Sequence, residues 1–443
     1  MMRLFIYILA VLGLSVAARA DVSGTFELTR EAAQDWKATF CFDESITALG
    51  FERPVADLRS KSWRAHDPGF SLIHSGPVSH LERADGKSFR CASLDITTNT
   101  MIPKKDYMPF SRFSDGGVSV FTGYLMGRGL RHGTWENYDL KATYRGLDGD
   151  RVITRNPSGL AEQFVYFGPR EPKEIAGATL VIDPLIPASA RLGVLSTLPR
   201  GNKLLEELFG FRPVQPYLVF MAAGELETSP SDQTKAGTLP YQILFTMKGK
   251  GSAKWADSDP LYFPRFTMHE VLHIWQREVW GDWLGDDHSW VHEGAAEALS
   301  YELMGRAKAY KAGQLDSLWA TVTNKCRSLL AETSVHDAPK NSRFDAVYQC
   351  GALVNRMVGA ALNPDAPGDG MIRFWQAMAA SGQAGMRDTT SVQLYLDTME
   401  HLGFGEDARS ALLAFLKEKP LNPDAAIKAL RAVLSAAAPS PSS

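Results

Sequence analysis

The chain has 443 residues, 45% of them hydrophobic and 22% charged, with a formal net charge of -3 at pH 7. This composition excludes a disordered or fibrous protein and leaves room for two or three domains with cores of their own. The near-neutral balance provides no basic face for phosphates, so nothing in the composition points to a nucleic-acid partner.

At the N-terminus, Arg3 is followed by an apolar run over residues 4–14 and then by Ser15-Val16-Ala17-Ala18-Arg19-Ala20, with small residues at Ala18 and Ala20. This is the pattern of a signal peptide, residues 1–20, cleaved after Ala20. The run is short for a membrane span and no later stretch reaches about 18 uninterrupted apolar residues. The mature chain is therefore expected to have no stable membrane span and to be periplasmic or secreted. An even set of cysteines, Cys41, Cys91, Cys326 and Cys350, then suggests two disulfides. Of the three pairings, Cys41 with Cys91 and Cys326 with Cys350 is favoured, because each closes a loop inside one domain. No C-x-x-C pair points to a cysteine-held metal.

Residues 21–184 show short alternating runs broken by Gly, Asp and Pro, as at 117–124, 134–144 and 163–167, and are expected to form a β-rich domain. From Ser189 the texture changes. A helical pattern at 203–209 and a strand-like stretch at 217–221 open a second domain, 189–362. Residues 239–247 have strand composition, and Pro240 removes a ladder donor, which makes this an edge strand. After a loop with Asp257, Asp259 and Pro260 the pattern turns helical, with helices expected over 264–280, 290–303, 315–332, 346–362, 372–380 and 392–402 and two more up to 437. Residues 363–437 read as a helical C-terminal region and 438–443 as a low-complexity, disordered tail.

His269, His273, His288 and His292 crowd into one short stretch. In His269-Glu270-Val271-Leu272-His273 two imidazoles at i and i+4 leave one helix face and can converge on a tetrahedral zinc. Glu270 stands beside them as a general base for a zinc-bound water. Pro264 and Thr267 lie near the start of this helix and Gly281 at its C-cap. A catalytic zinc needs a third protein ligand, and Glu293, in Trp290-Val291-His292-Glu293-Gly294, is the candidate from a second helix returning beside the first. His292 competes for that place. Glu297, one turn on, is cast as the partner that orients an imidazole, with a solvated helix carboxylate as the plain alternative. Asp286, Asp287 and His288 read as ordinary loop residues, and Trp275, Trp280, Trp283 and Trp290 as packing.

These residues resemble the gluzincin metallopeptidases, and among them the M1 aminopeptidase-like group. There the third ligand sits in a W-x-x-E-G segment and an oxyanion-stabilising tyrosine in Y-x-x-G. Trp290-Val291-His292-Glu293-Gly294 and Tyr348-Gln349-Cys350-Gly351 match both. The resemblance covers residues 189–361. It implies an α+β fold in which a β-rich N-terminal domain precedes a thermolysin-like catalytic domain, with a mixed sheet and active-site helices, and a helical C-terminal region. It further implies Zn2+ held by His269, His273 and Glu293, Glu270 as general base, Tyr348 as oxyanion stabiliser, and a peptide or protein substrate laid along an edge strand at 241–245. The plain alternative for Tyr348 is core packing beside Val347, Leu353 and Val354. One departure concerns specificity: M1 aminopeptidases carry G-x-M-E-N, whose glutamate anchors the substrate amine, whereas Gly237-Thr238-Leu239-Pro240-Tyr241 has no glutamate, and Glu225 and Glu227 are the stand-ins nearby. The expectation is an exported zinc metallopeptidase, endo- or aminopeptidase. The alternatives are a non-catalytic, peptidase-like envelope binding protein and a zinc hydrolase of a non-peptide amide.

Overall fold

The computed structural model describes residues 22–101, 106–175, 177–280, 289–383 and 390–437. The expected signal peptide, Gly281, Trp283, Asp286, Asp287, His288, the side chain of Trp280 and the tail lie outside the described residues. The chain divides into two compact units, Met1–Phe110 with Val120–Phe167, and Ser111–Ser119 with Gly168–Ser443. The fold is α+β, and no helix among the described residues is long and apolar enough to cross a membrane.

The first unit is built on a nine-stranded sheet in the order Trp63–Ala65, Phe89–Thr97, Asp35–Ile46, Val22–Arg30, Thr134–Arg145, Gly127–Arg131, Ala48–Phe51, Val78–Arg83, Phe70–Ser75. Period-2 alternation decides its inner face: Trp36, Ala38, Phe40 and Phe42 are buried while the residues between them are not. Cys41 lies directly opposite Cys91 in the antiparallel register, and the two are bonded.

The second unit holds a mixed five-stranded sheet in the order Lys173–Ile175, Ala178–Ile182, Tyr217–Glu225, Gln242–Lys248, Gln233–Leu239. The middle three strands are parallel and the two outer ones antiparallel to their neighbours. Strands at 173–175 and 178–182 pair in this sheet, so the β-rich stretch read as running to 184 yields its last two strands to the second unit. The expected edge strand is also displaced. Gln242–Lys248 is an inner strand, buried at every residue, and the edge is Gln233–Leu239. Pro240 is not in the ladder. It occupies the two-residue turn between these strands, and Tyr241 completes that turn at φ 56°. The polar run Gln233-Thr234-Lys235 concealed the edge strand, because an edge has one side left to solvent.

The helix expected at 203–209 begins much earlier, as Ala188–Phe209. Ala190, Val194, Thr197, Leu198, Gly201 and Leu205 form its buried stripe, and Pro199 is accommodated within it. Lys250–Ser258 is helical where a loop was expected. The remaining helices, Tyr262–Trp280, Ser289–Arg306, Gln314–Leu330, Asp345–Leu362, Pro367–Gln383, Ser391–His401, Glu406–Lys417 and Pro423–Ala436, follow the helical periodicity closely. Those beyond residue 363 share one core with the sheet: Trp375 packs on Trp275, and Tyr395 on Trp290. Cys326 and Cys350, both fully buried, join Gln314–Leu330 to Asp345–Leu362.

Candidate active site

The helix Tyr262–Trp280 is preceded by Asp259, whose carboxylate accepts from the Leu261 amide at 3.1 Å and from Arg265 at 2.7 Å. Thr267 lies inside the helix and donates to the Phe263 carbonyl. Its apolar side, Met268, Val271, Leu272 and Trp275, enters the core. Its polar face is nearly as buried: His269 is 5% exposed, Glu270 5% and His273 9%. Three ionisable groups so placed demand compensation.

The hydrogen bonds show what compensation the site is built for. His269 Nδ1 is 3.1 Å from Glu297 Oε2, and His273 Nδ1 is 2.8 Å from Gln276 Oε1. Gln276 donates its Nε2 to the His292 carbonyl at 3.1 Å, which fixes Oε1 as an acceptor. Each imidazole therefore carries its proton on Nδ1 and turns the lone pair of Nε2 inward. The inward atoms, His269 Nε2, His273 Nε2 and Glu293 Oε2, form a triangle with sides of 3.0, 3.1 and 3.2 Å. Three acceptors facing one another require a positive charge between them. The edge of a tetrahedron of zinc ligands with bonds of about 2.0–2.1 Å is about 3.3 Å, so this set fits zinc in both size and chemistry.

A proton meets the same demand. Burial works against charge on His269, but the hydrogen bonds to Glu293 and Glu297 and the charge of Glu270 outweigh it, and its pKa is raised to about 10. Burial likewise opposes ionisation of Glu293, yet the charge of His273 and hydrogen bonds from both imidazoles hold it well below the ordinary carboxylate value. Glu297 is lowered in the same sense, burial being outweighed by His269 and by the Tyr301 hydroxyl.

The structure thus brings His269, His273 and Glu293 together as a group able to hold a metal. His292, the competing candidate, lies outside the triangle, its ring tilted against that of His273 with centroids 4.1 Å apart. Tyr348 comes from Asp345–Leu362, with its ring 5.9 Å from that of His269. Burial, then the carboxylates of Glu293, Glu270 and Glu297, push its phenol well above the usual value and keep it a donor. The alignment of Glu293 with Tyr348 has a steric cause. A Cβ on Gly294 would stand 2.5 Å from Gly351 Cα, and one on Gly351 would stand 2.6 Å from the Trp290 carbonyl oxygen. The glycines that close the two short motifs meet in one contact, too close for a side chain on either.

Two residues escaped the sequence reading. Gln276 carried a signal, a polar residue at i+3 from a candidate ligand histidine. Thr238, which donates to Glu270 Oε2 at 2.5 Å, carried none. The stand-ins considered for an amine anchor are elsewhere: Glu225 pairs with Lys248 at 2.5 Å and Glu227 with Lys250 at 3.3 Å. On the strand shared as neighbour, Lys248 is five positions from Ile243, the residue opposite Thr238, or about 16 Å away.

Among solved structures, an aminopeptidase N family protein from Idiomarina loihiensis aligns with TM-score 0.57 at 12% identity, over 90% of this chain and 76% of its own. An M1 zinc metallopeptidase from Deinococcus radiodurans, a glutamate-to-alanine mutant bound to a Tyr-Ser-Ala substrate, aligns with TM-score 0.51 at 16% identity, over 91% and 95%. This chain has the M1 metallopeptidase fold. Native leukotriene A4 hydrolase from Saccharomyces cerevisiae is a further neighbour of that fold, with TM-score 0.53 at 10% identity, over 91% and 68%. No protein-family model matches the sequence, and no curated protein is similar to it. The M1 fold here is thus carried by architecture at low sequence identity.

Proposed function

We propose that this chain is an exported zinc-dependent metallopeptidase that hydrolyses peptide bonds, with His269, His273 and Glu293 holding the metal. The observation that carries this reading is the triangle of three inward-facing acceptors, each imidazole oriented from behind by Glu297 or Gln276. Zinc, when bound, supplies Lewis acidity that makes a water acidic near neutral pH and polarises a carbonyl. Glu270, next to the first ligand, takes the proton of the attacking water and passes it to the leaving amine nitrogen. Tyr348 donates its hydroxyl to the oxygen that gains charge as the carbonyl carbon becomes tetrahedral. The backbone of Gln233–Leu239, the edge strand among the described residues, is where the substrate pairs. Export is supported by the N-terminal pattern and by two disulfides, which persist in oxidising compartments.

The edge strand has no carboxylate to anchor a free amine. Peptides with acetylated and with free N-termini should therefore be cut at comparable rates. Metal analysis of the purified protein, followed by mass spectrometry of both peptide libraries, tests this. The reading stands on about one zinc per chain and cleavage of both libraries. Protein without metal indicates a binding protein, and zinc-loaded protein that cuts no peptide indicates a hydrolase of another amide. Cleavage of free peptides alone restores the aminopeptidase assignment.

A further inference from the structure

The Glu270 carboxylate has one hydrogen-bond partner among the described residues, and it comes from the sheet. Thr238 donates Oγ1–H to Glu270 Oε2 at 2.5 Å, the length of a charge-assisted O–H···O⁻ bond. Thr238 belongs to the edge strand Gln233–Leu239, opposite Ile243 in the register. Ile243 is fully buried in the core that the helix Tyr262–Trp280 also enters, so this side of the sheet faces the helix. The strand is held close to that bond by the turn at Pro240 and Tyr241. There Tyr241 adopts a left-handed φ of 56° that a bulky residue rarely takes, with its ring buried and stacked on Tyr217 at 6.1 Å.

We propose that Thr238 is a positioning residue for the general base. By occupying Oε2 it fixes the plane of the Glu270 carboxylate and leaves Oε1 to receive the proton of the attacking water. Because Thr238 lies on the strand at the edge of the described sheet, the base is tied to the same strand on which a substrate backbone would pair. The angle of the base and the register of the scissile bond then share one support. Where M1 aminopeptidases use this segment to bind the substrate amine, this chain uses it to hold its own catalytic carboxylate.

The inference rests on the peptidase reading, and the test separates the two. Thr238→Val, Thr238→Ser and Glu270→Gln are compared with the parent on the peptide that the libraries show to be cut fastest, with zinc content and melting temperature measured on each. Valine matches the shape of threonine and lacks the donor. It should lower kcat by roughly ten- to a hundred-fold, the range that corresponds to losing one hydrogen bond to a charged group, and leave KM within about two-fold. Zinc content should be unchanged, and serine should restore most of the rate. Parent-like kcat in Thr238→Val overturns the proposal, as does a serine variant as slow as the valine one, which would make the methyl group the feature that matters. Should valine unfold the strand, Thr238→Ala read against Thr238→Ser decides the same question. If Glu270→Gln is as fast as the parent, the assignment of the base has failed and Thr238 falls with it. If Glu270→Gln is inactive and Thr238→Val is normal, the Thr238 proposal alone is wrong.

Discussion

The candidate site has two sides of unlike construction. On the helical side, His269, His273, Glu293 and Tyr348 are held by mutually reinforcing constraints: two hydrogen bonds from behind the imidazoles, a glycine-to-glycine helix contact, and a disulfide at Cys350, two residues past Tyr348. On the strand side, Gln233–Leu239 has one strand neighbour among the described residues, a tight turn at its end and a hydrogen bond from Thr238 to Glu270. The geometry of the proposed ligands is thus over-determined, while the proposed base is held from the sheet through Thr238. Loss of one support should be partly absorbed on the first side and felt in the rate on the second.

Four substitutions on the helical side measure how far this contrast holds, and the Thr238 variants measure the other side. Glu270→Gln removes the proton acceptor while keeping shape and should lower kcat by about 10² to 10⁴-fold with zinc retained. Metal analysis beside steady-state rates checks it, and a fully active variant would remove Glu270 from the mechanism. Tyr348→Phe keeps the ring packing against His269 and Phe344 and should lower kcat by about 10² to 10³-fold with little change in KM. A change confined to stability would return Tyr348 to the core reading. Glu297→Gln weakens the acceptor behind His269 and should raise the zinc dissociation constant about 10- to 100-fold, measured by competition with a chelator. Unaltered affinity would mean that Gln276 and the fold suffice to orient the imidazoles. Smallest is Gly351→Ala. Its Cβ would meet the Trp290 carbonyl oxygen at 2.6 Å, so denaturant titration should show about 1–3 kcal/mol of destabilisation, with a drop in kcat as Glu293 and Tyr348 separate. Destabilisation without any loss of rate would show that the helix contact does not align the two residues.

How much was readable depended on the range over which each feature is encoded. That His269 and His273 stand together was legible because i and i+4 on a helix share a face whatever surrounds them. The placement of Glu293 and Tyr348 beside the histidines followed from short motifs, and the helices beyond residue 260 from apolar periodicity that the shared core later confirmed. Cys41 with Cys91 and Cys326 with Cys350 were the favoured pairs, and they are the two bonds present. The helix Ala188–Phe209 was read short because Pro199 carries a strong local signal against a helix, while its buried stripe outweighs that signal in the packed structure. The edge strand was misplaced because strand order is not a local property: Gln242–Lys248 is apolar because it is central, and Gln233–Leu239 is polar because it is not.

By itself, then, the sequence determined the α+β character and the disulfide framework and named the candidate ligands and the candidate base, since each is written in residue types at short spacings. Only the tertiary structure decided that Gly294 and Gly351 are one contact, that Gln276 and Glu297 hold the imidazoles so that both Nε2 atoms face inward, and that Thr238 donates to Glu270. These are pairings between residues on different elements or, for Gln276, a choice of hydrogen-bond direction set by another helix. Such pairings exist only once burial has forced the elements together and left each polar group to find a partner.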